Sequence, residues 1–316
     1  MKSLLLLASA AFTVAALSPS HLVPDLVPSD AANGQSHDVA LGRDAYDRMT
    51  VPVSVGGSGP YRFLVDTGAE RTVISRQLAE QLGLAAGDRT TMHSVAGSSN
   101  VATVNIPMLD VNARRLAISN APALETGNIG ADGMLGVDTL KLQRVLFDFK
   151  RGIMEVSPSS QPTYSSDGET VIVEAKRRHG RLLFTNATLD GHDVVVVVDT
   201  GSQISIGNLA LRDKLLRRGA VSEPLVIETI AGERINAQAM MVQSLQMGGV
   251  TLKKLGIAFA DSPVFGQLDL DRRPALLLGM NAFRSFNQVT IDFATRQVRF
   301  VVPTTGMLAG EQFAER

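Results

Sequence analysis

The strongest constraint on this chain is that it repeats itself. Residues 61–75 read YRFLVDTGAERTVIS and residues 193–206 read DVVVVVDTGSQISI. Each stretch is an apolar run, then Asp-Thr-Gly, then a polar turn, then β-branched residues. Asp66 and Asp199 stand 133 residues apart. A second pair follows in the same order, Gly133 to Asp138 (GMLGVD) and Leu276 to Asn281 (LLLGMN), with Gly136 and Gly279 separated by 143 residues. A third pair closes each unit, Val145 to Phe149 (VLFDF) and Val289 to Phe293 (VTIDF). Three ordered segments at nearly constant offset describe two like units joined in one chain.

The local patterns are those of β structure. Val51–Val55 and Arg62–Val65 read as strands joined by a turn over Gly56–Pro60. Leu182–Leu189 and Val194–Val198 are their counterparts, joined by Asp190-Gly191-His192. The unbroken Val run before Asp199 predicts a strand buried on both faces. Short helices are expected after each Asp-Thr-Gly. One has Ser75 as N-cap, an apolar face of Leu78 and Leu82, and Gly83 as its stop; the other has Asn208 as N-cap, Leu211 and Leu215, and Gly219. A Gly-containing hairpin follows in each unit, around Ala96-Gly97 and Ala231-Gly232. The fold class is therefore all-β with short helices.

Composition divides the chain further. Met1-Lys2 followed by an apolar run to Leu17 predicts an export signal over residues 1–17, too short for a spanning helix. An uncleaved N-terminal anchor is the alternative. Residues 18–40 read as a flexible lead-in, 41–156 as the first lobe, 157–168 as a Ser- and Pro-rich linker, 169–303 as the second lobe and 304–316 as a tail. Thirty basic and thirty-one acidic side chains leave a net charge of −1, so no global field draws in nucleic acid. With no Cys, disulfides, thiolate metal sites and a cysteine nucleophile are excluded. No two of the five His have metal-ligand spacing, and no metal or cofactor is expected.

A carboxylate placed directly after buried apolar residues is costly alone. Two that face each other can share one proton and hold a water between them. One then takes the water's proton while the other protonates a scissile carbonyl. Gly beside each Asp permits close approach, and Thr can hydrogen-bond the opposite loop. Ser202 can donate to the Asp199 carboxylate and favour its ionised form, whereas Ala69 carries no such group. Asp66 is therefore the expected proton holder, within a pair that titrates as one unit.

On these motifs the chain resembles the retropepsin-like aspartic proteases. VDTGAERTVIS is similar to the retropepsin active-site loop, and its duplication resembles the bilobal, pepsin-like arrangement of two β-barrel lobes. The resemblance spans about residues 40–303 and implies a bacterial, exported endopeptidase whose catalytic residues are Asp66 and Asp199. It implies interlocking contacts through Thr67 and Thr200, loops shaped by Gly68, Ala69, Gly201 and Ser202, and support from Leu135-Gly136 and Leu278-Gly279. Flaps over the cleft would carry Ala96, Gly97, Ala231 and Gly232. Glu70, with Gln203 as its counterpart, would meet the substrate backbone. The sequence departs from the family at Val137 and Met280, where retroviral enzymes carry Arg, and in the absence of a flap Tyr.

The implied partner is a peptide or protein substrate, with no stable membrane insertion after signal removal. One chain supplies both acids, so a monomer suffices. A non-catalytic peptide-binding module that keeps the cleft is the alternative. Asp148 and Asp292 read as structural or solvent-facing, Arg177-Arg178-His179 as a solvated face, His93 as an exposed loop residue and Met240-Met241 as core filling.

Overall fold

The computed structural model describes residues 38–40, 42–43, 49–94, 97–112, 114–161, 168–217, 219, 221–228 and 234–303. The expected signal segment, most of the lead-in and the tail lie outside the described residues, as do Ala96, Ala231 and Gly232. Among the described residues no helix is long and apolar enough to cross a membrane.

Each half builds a closed six-stranded barrel. In the first, the order is Met49–Val55, Ser58–Val65, Gly133–Leu135, Val73–Ser75, Arg114–Leu124 and Thr103–Val111, and the last strand pairs back on the first. In the second, Arg181–Leu189, His192–Val198, Ala275–Leu278, Ser205–Gly207, Val250–Phe259 and Arg234–Met247 close in the same way. Closure pairs the outer strands of each barrel with one another, and Glu223–Glu228 extends the second sheet beyond it. The strand leading to each Asp-Thr-Gly runs parallel to the strand that ends in the supporting Leu.

Alternation decides which side chains fill the barrels. Val194, Val196 and Val198 join the main core, while Val195 and Val197 face a second cluster with Ile206, Leu225 and Leu277. Phe63 and Val65 likewise point into the main core, and Leu64 packs with Val73, Leu124 and Met134. The active-site strands are thus buried on both faces, as the Val run predicts. Met240 fills the core, but its neighbour Met241 points outward and is exposed, because successive strand residues face opposite sides.

Turns and caps follow the sequence with one difference. The first hairpin turn is only Gly56-Gly57, both at positive φ, so Ser58 already begins the next strand. Asp190-Gly191 make the equivalent turn, also at positive φ. Ser75 Oγ accepts from Leu78 N at 3.1 Å to cap the helix Arg76–Gln81. Asn208 Oδ1 accepts from Leu211 N at 2.9 Å to cap Leu209–Leu216.

The halves also share a sheet that neither could form alone. Its order is Asp38–Ala40, Ile153–Pro158, Gln143–Asp148, Gln288–Asp292, Gln297–Val301 and Thr170–Glu174. The seam is antiparallel, with Val145 opposite Ile291 and Phe147 opposite Val289. The third repeated segment is therefore where the lobes join. The strand Ile153–Pro158 runs two residues into the stretch whose composition reads as linker, and Asp38–Ala40 adds a strand at the end of the lead-in. Strand pairing overrides local composition at both places.

Asp148 and Asp292 are buried and structural. Asp148 accepts from Arg151 N at 2.8 Å and Gln288 Nε2 at 2.6 Å. Asp292 accepts from Ser159 Oγ at 2.7 Å and Thr295 N at 2.9 Å. Arg177 and Arg178 are not purely solvated, since their guanidinium groups donate to the carbonyls of Phe293 and Leu268.

Phe300, in the shared sheet, packs its ring 4.7 Å from Phe286 and 6.3 Å from Phe184 of the second barrel, all three fully buried. Phe300→Ala is expected to cost about 3–5 kcal/mol of stability in urea unfolding, from lost burial plus the cavity left behind. A loss under about 1 kcal/mol would contradict this packing.

Candidate active site

Asp66 and Asp199 follow directly on Val65 and Val198, the last residues of the paired strands. Asp66 N donates to Leu135 O at 3.0 Å and Asp199 N to Leu278 O at 3.1 Å, so each loop hangs from its supporting Leu. The loops meet through their threonines. Thr67 Oγ1 donates to Val198 O at 3.0 Å and accepts from Thr200 N at 3.0 Å. Thr200 Oγ1 donates to Val65 O at 2.8 Å and accepts from Thr67 N at 3.1 Å. Four buried hydrogen bonds, exchanged symmetrically, bind the two loops at their tips.

That grip presses each carboxylate onto the opposite loop. A Cβ built on Gly68 would fall 2.5 Å from Asp199 Oδ1, and one on Gly201 would fall 2.2 Å from Asp66 Oδ2. Only Gly fits at these two positions. Within the loops, Asp66 Oδ1 accepts from Gly68 N at 2.8 Å and Ala69 N at 3.0 Å. Asp199 accepts from Gly201 N at 3.1 Å and from Ser202 Oγ at 2.8 Å. Ala69 therefore does supply Asp66 with a donor, through its backbone amide rather than its side chain.

Burial, and then the neighbouring Asp199, push Asp66 from the ordinary 3.8 up to about 7, against the lowering pull of Gly68 N, Arg181 and Ala69 N. The loop thus favours a proton on Asp66 over most of the acidic range. Among the described residues no cluster of three His, Cys, Asp or Glu side chains is arranged to hold a metal ion.

A family model described as aspartyl protease matches residues 51–139 and 185–282, more than half of the chain. The chain belongs to the aspartyl protease family. The two matched stretches fall one in each barrel, so the protein is built of two fused retropepsin-like lobes. A comparison with curated proteins finds no match.

The supporting segments of both lobes contain residues to which the motifs assign no role. Asp138 accepts from Thr72 Oγ1 at 2.7 Å and from Thr72 N at 3.0 Å. Asn281 Oδ1 accepts from Ser205 Oγ and Ser205 N, both at 2.9 Å. Thr72 Oγ1 and Ser205 Oγ in turn accept from Gly136 N at 3.2 Å and Gly279 N at 3.0 Å. Asp138 and Asn281 thus pin the loops from below. Both lie in the repeated Gly-x-Asp/Asn pattern, so the repeat held the signal.

The first hairpin, Thr90–His93 with Ser98–Val101, closes through Ser94 N to Gly97 O at 2.8 Å. Its Met92 and Val101 pack on the cluster that also touches Ala69, beside the Asp66 loop. His93 is exposed, 2.6 Å from Ser98 Oγ through Nδ1. The second hairpin pairs Glu223–Glu228 with Arg234–Ala239; its tip lies outside the described residues. Glu70 is half-exposed beside the loop, 3.9 Å from Arg181 Nη1. Its counterpart Gln203 accepts from Arg284 Nη1 at 3.3 Å.

Two measurements test the site. Thr67→Val keeps the shape but strands Thr200 N and Val198 O, and is expected to cost about 2–4 kcal/mol, while Thr67→Ser costs under about 1. Equal losses would mean that the hydroxyl does not hold the loops. Because Asp66 is raised in the folded state, its stabilising contribution is complete below its unfolded value near 3.8 and is lost as pH rises through about 7. Asp66→Asn removes that loss, so urea unfolding should find it more stable than wild type at about pH 8 and nearly equal at about pH 4. A constant difference at both pH values would contradict the buried-proton reading.

Proposed function

We propose that the protein is an aspartic endopeptidase in which Asp66 and Asp199 activate a water for peptide-bond hydrolysis. The observation that carries this reading is that each carboxylate is packed against the glycine of the opposite loop, with Asp66 pushed up to about 7 by burial and by Asp199. Asp199, which accepts from Ser202 Oγ and Gly201 N, takes a proton from the water. Asp66, protonated, donates to the scissile carbonyl oxygen. The water oxygen adds to the carbonyl carbon to give a neutral gem-diol, and the diol collapses with transfer of a proton to the departing amine nitrogen. No covalent intermediate with the protein is formed.

Glu70 and the two hairpins are assigned to substrate contact, the hairpins as flaps over the cleft. One chain carries both acids, so a monomer is sufficient for turnover. The apolar run after Lys2 supports export to the periplasm or beyond. The intact mass of the mature protein distinguishes a cleaved signal from an anchor.

Digestion of a denatured proteome across about pH 3–8 tests the activity. Wild type is expected to cut, with an alkaline limb near pH 7 set by loss of the Asp66 proton. Asp66→Ala and Asp199→Ala should each reduce hydrolysis by about 100-fold or more. Binding of peptides without cleavage, or cleavage that survives either substitution, would overturn the proposal.

A further inference from the structure

Arg181 is a buried cation that the two motifs do not explain. It begins the second-barrel strand Arg181–Leu189, just after the tight turn His179-Gly180, both residues at positive φ. That turn reaches across to the first lobe. A Cβ on Gly180 would lie 3.4 Å from Val137 Cγ1, and Val137 N donates to Ala69 O at 2.8 Å. From this seam Arg181 Nε donates to Gly68 O, the carbonyl two residues beyond Asp66. Its Nη1 is buried without a hydrogen-bond partner, 3.9 Å from Glu70 Oε1.

A buried guanidinium is expensive unless its charge is answered. Here the answer comes from the first lobe, through Glu70 and Asp66. In the second lobe Gln203 stands at the position of Glu70 and accepts from Arg284 of its own lobe. Nη1 is closed to solvent, and the residue as a whole is buried. Arg181 must act through the loop that it holds.

We propose that Arg181 is a positioning residue of the carboxylate pair: a second-lobe cation that clamps the first lobe's active-site loop by the Gly68 carbonyl and sets the proton affinity of Asp66, with Glu70 as its counter-charge. The charged groups bearing on Asp66 are Asp199 from the opposite loop and Arg181 from the seam; those bearing on Arg181 are Asp66 and Glu70. Burial and Asp199 raise Asp66, and Arg181 draws it back down. The clamp therefore keeps the shared proton from being held too tightly, and it ties that setting to the docking of the lobes. The effect on hydrolysis rests on the endopeptidase reading, but the effect on Asp66 does not.

The test is a 13C NMR titration of the full chain labelled at aspartate Cγ, with the Asp66 signal assigned by its loss in Asp66→Asn. Arg181→Met should raise the Asp66 midpoint by about one pH unit, the size that an adjacent opposite charge exerts, while Arg181→Lys stays closer to wild type. Glu70→Gln, at a half-exposed position, should lower the midpoint, because the cation is then less compensated. With a quenched peptide that wild type cuts, the alkaline limb should move in the same directions. Midpoints that do not move in Arg181→Met and Glu70→Gln would overturn the proposal. If Arg181→Met does not fold, an unmoved Glu70→Gln midpoint overturns it alone. If wild type cuts nothing, the endopeptidase reading fails, while the midpoints still decide the role of Arg181.

Discussion

The crossed hydrogen bonds between Thr67 and Thr200 are the interaction on which the rest of the structure depends. Each hydroxyl bonds once to a backbone carbonyl and once to a backbone amide of the opposite loop. These bonds hold the two acidic loops in contact although buried carboxylates repel each other and prefer water. With them, each carboxylate is forced against the glycine of the other loop, and the strain is relieved by protonating one acid. The raised Asp66 is thus a consequence of the grip. The chemistry proposed for the pair uses the protonation state that this geometry imposes.

The surrounding architecture makes the grip symmetric and then breaks the symmetry. Two closed barrels present the loops from equivalent strands, and the shared six-stranded sheet fixes the barrels relative to each other. Leu135 and Leu278 hold the loops from the side, and Asp138 and Asn281 hold them from beneath through Thr72 and Ser205. The differences are small and sit at the acids themselves. Ser202 supplies a hydroxyl to Asp199, while Asp66 takes a backbone amide from Ala69 and feels the charge of Arg181. The Ala69 amide and Arg181 both pull Asp66 down, so it is burial and the opposed Asp199 that raise it.

Much of this was legible in the residues. The doubled Asp-Thr-Gly, the later Leu-Gly pairs and the β-branched runs identified the strands, the lobes and the facing loops, because each depends on local pattern and on repetition. The caps at Ser75 and Asn208 were legible for the same reason. What escaped depends on contacts distant in the chain. Arg181 is an ordinary Arg in a basic stretch until the second lobe docks and brings it to Gly68. The shared sheet could not be read from Val145–Phe149 or Val289–Phe293 alone, since either segment fits an edge within its own lobe. Met241 and the strand character of Ser157-Pro158 were likewise decided by pairing partners rather than by composition.

Whether the two buried acids of the duplicated halves hold one proton in common is decided by following both carboxyl carbons through a pH titration in wild type and in Asp199→Asn. Asp66 in wild type is expected to titrate near pH 7, with a midpoint that falls when the charge on residue 199 is removed. Asp66 titrating near its ordinary value, with no response to Asp199→Asn, would contradict the shared proton.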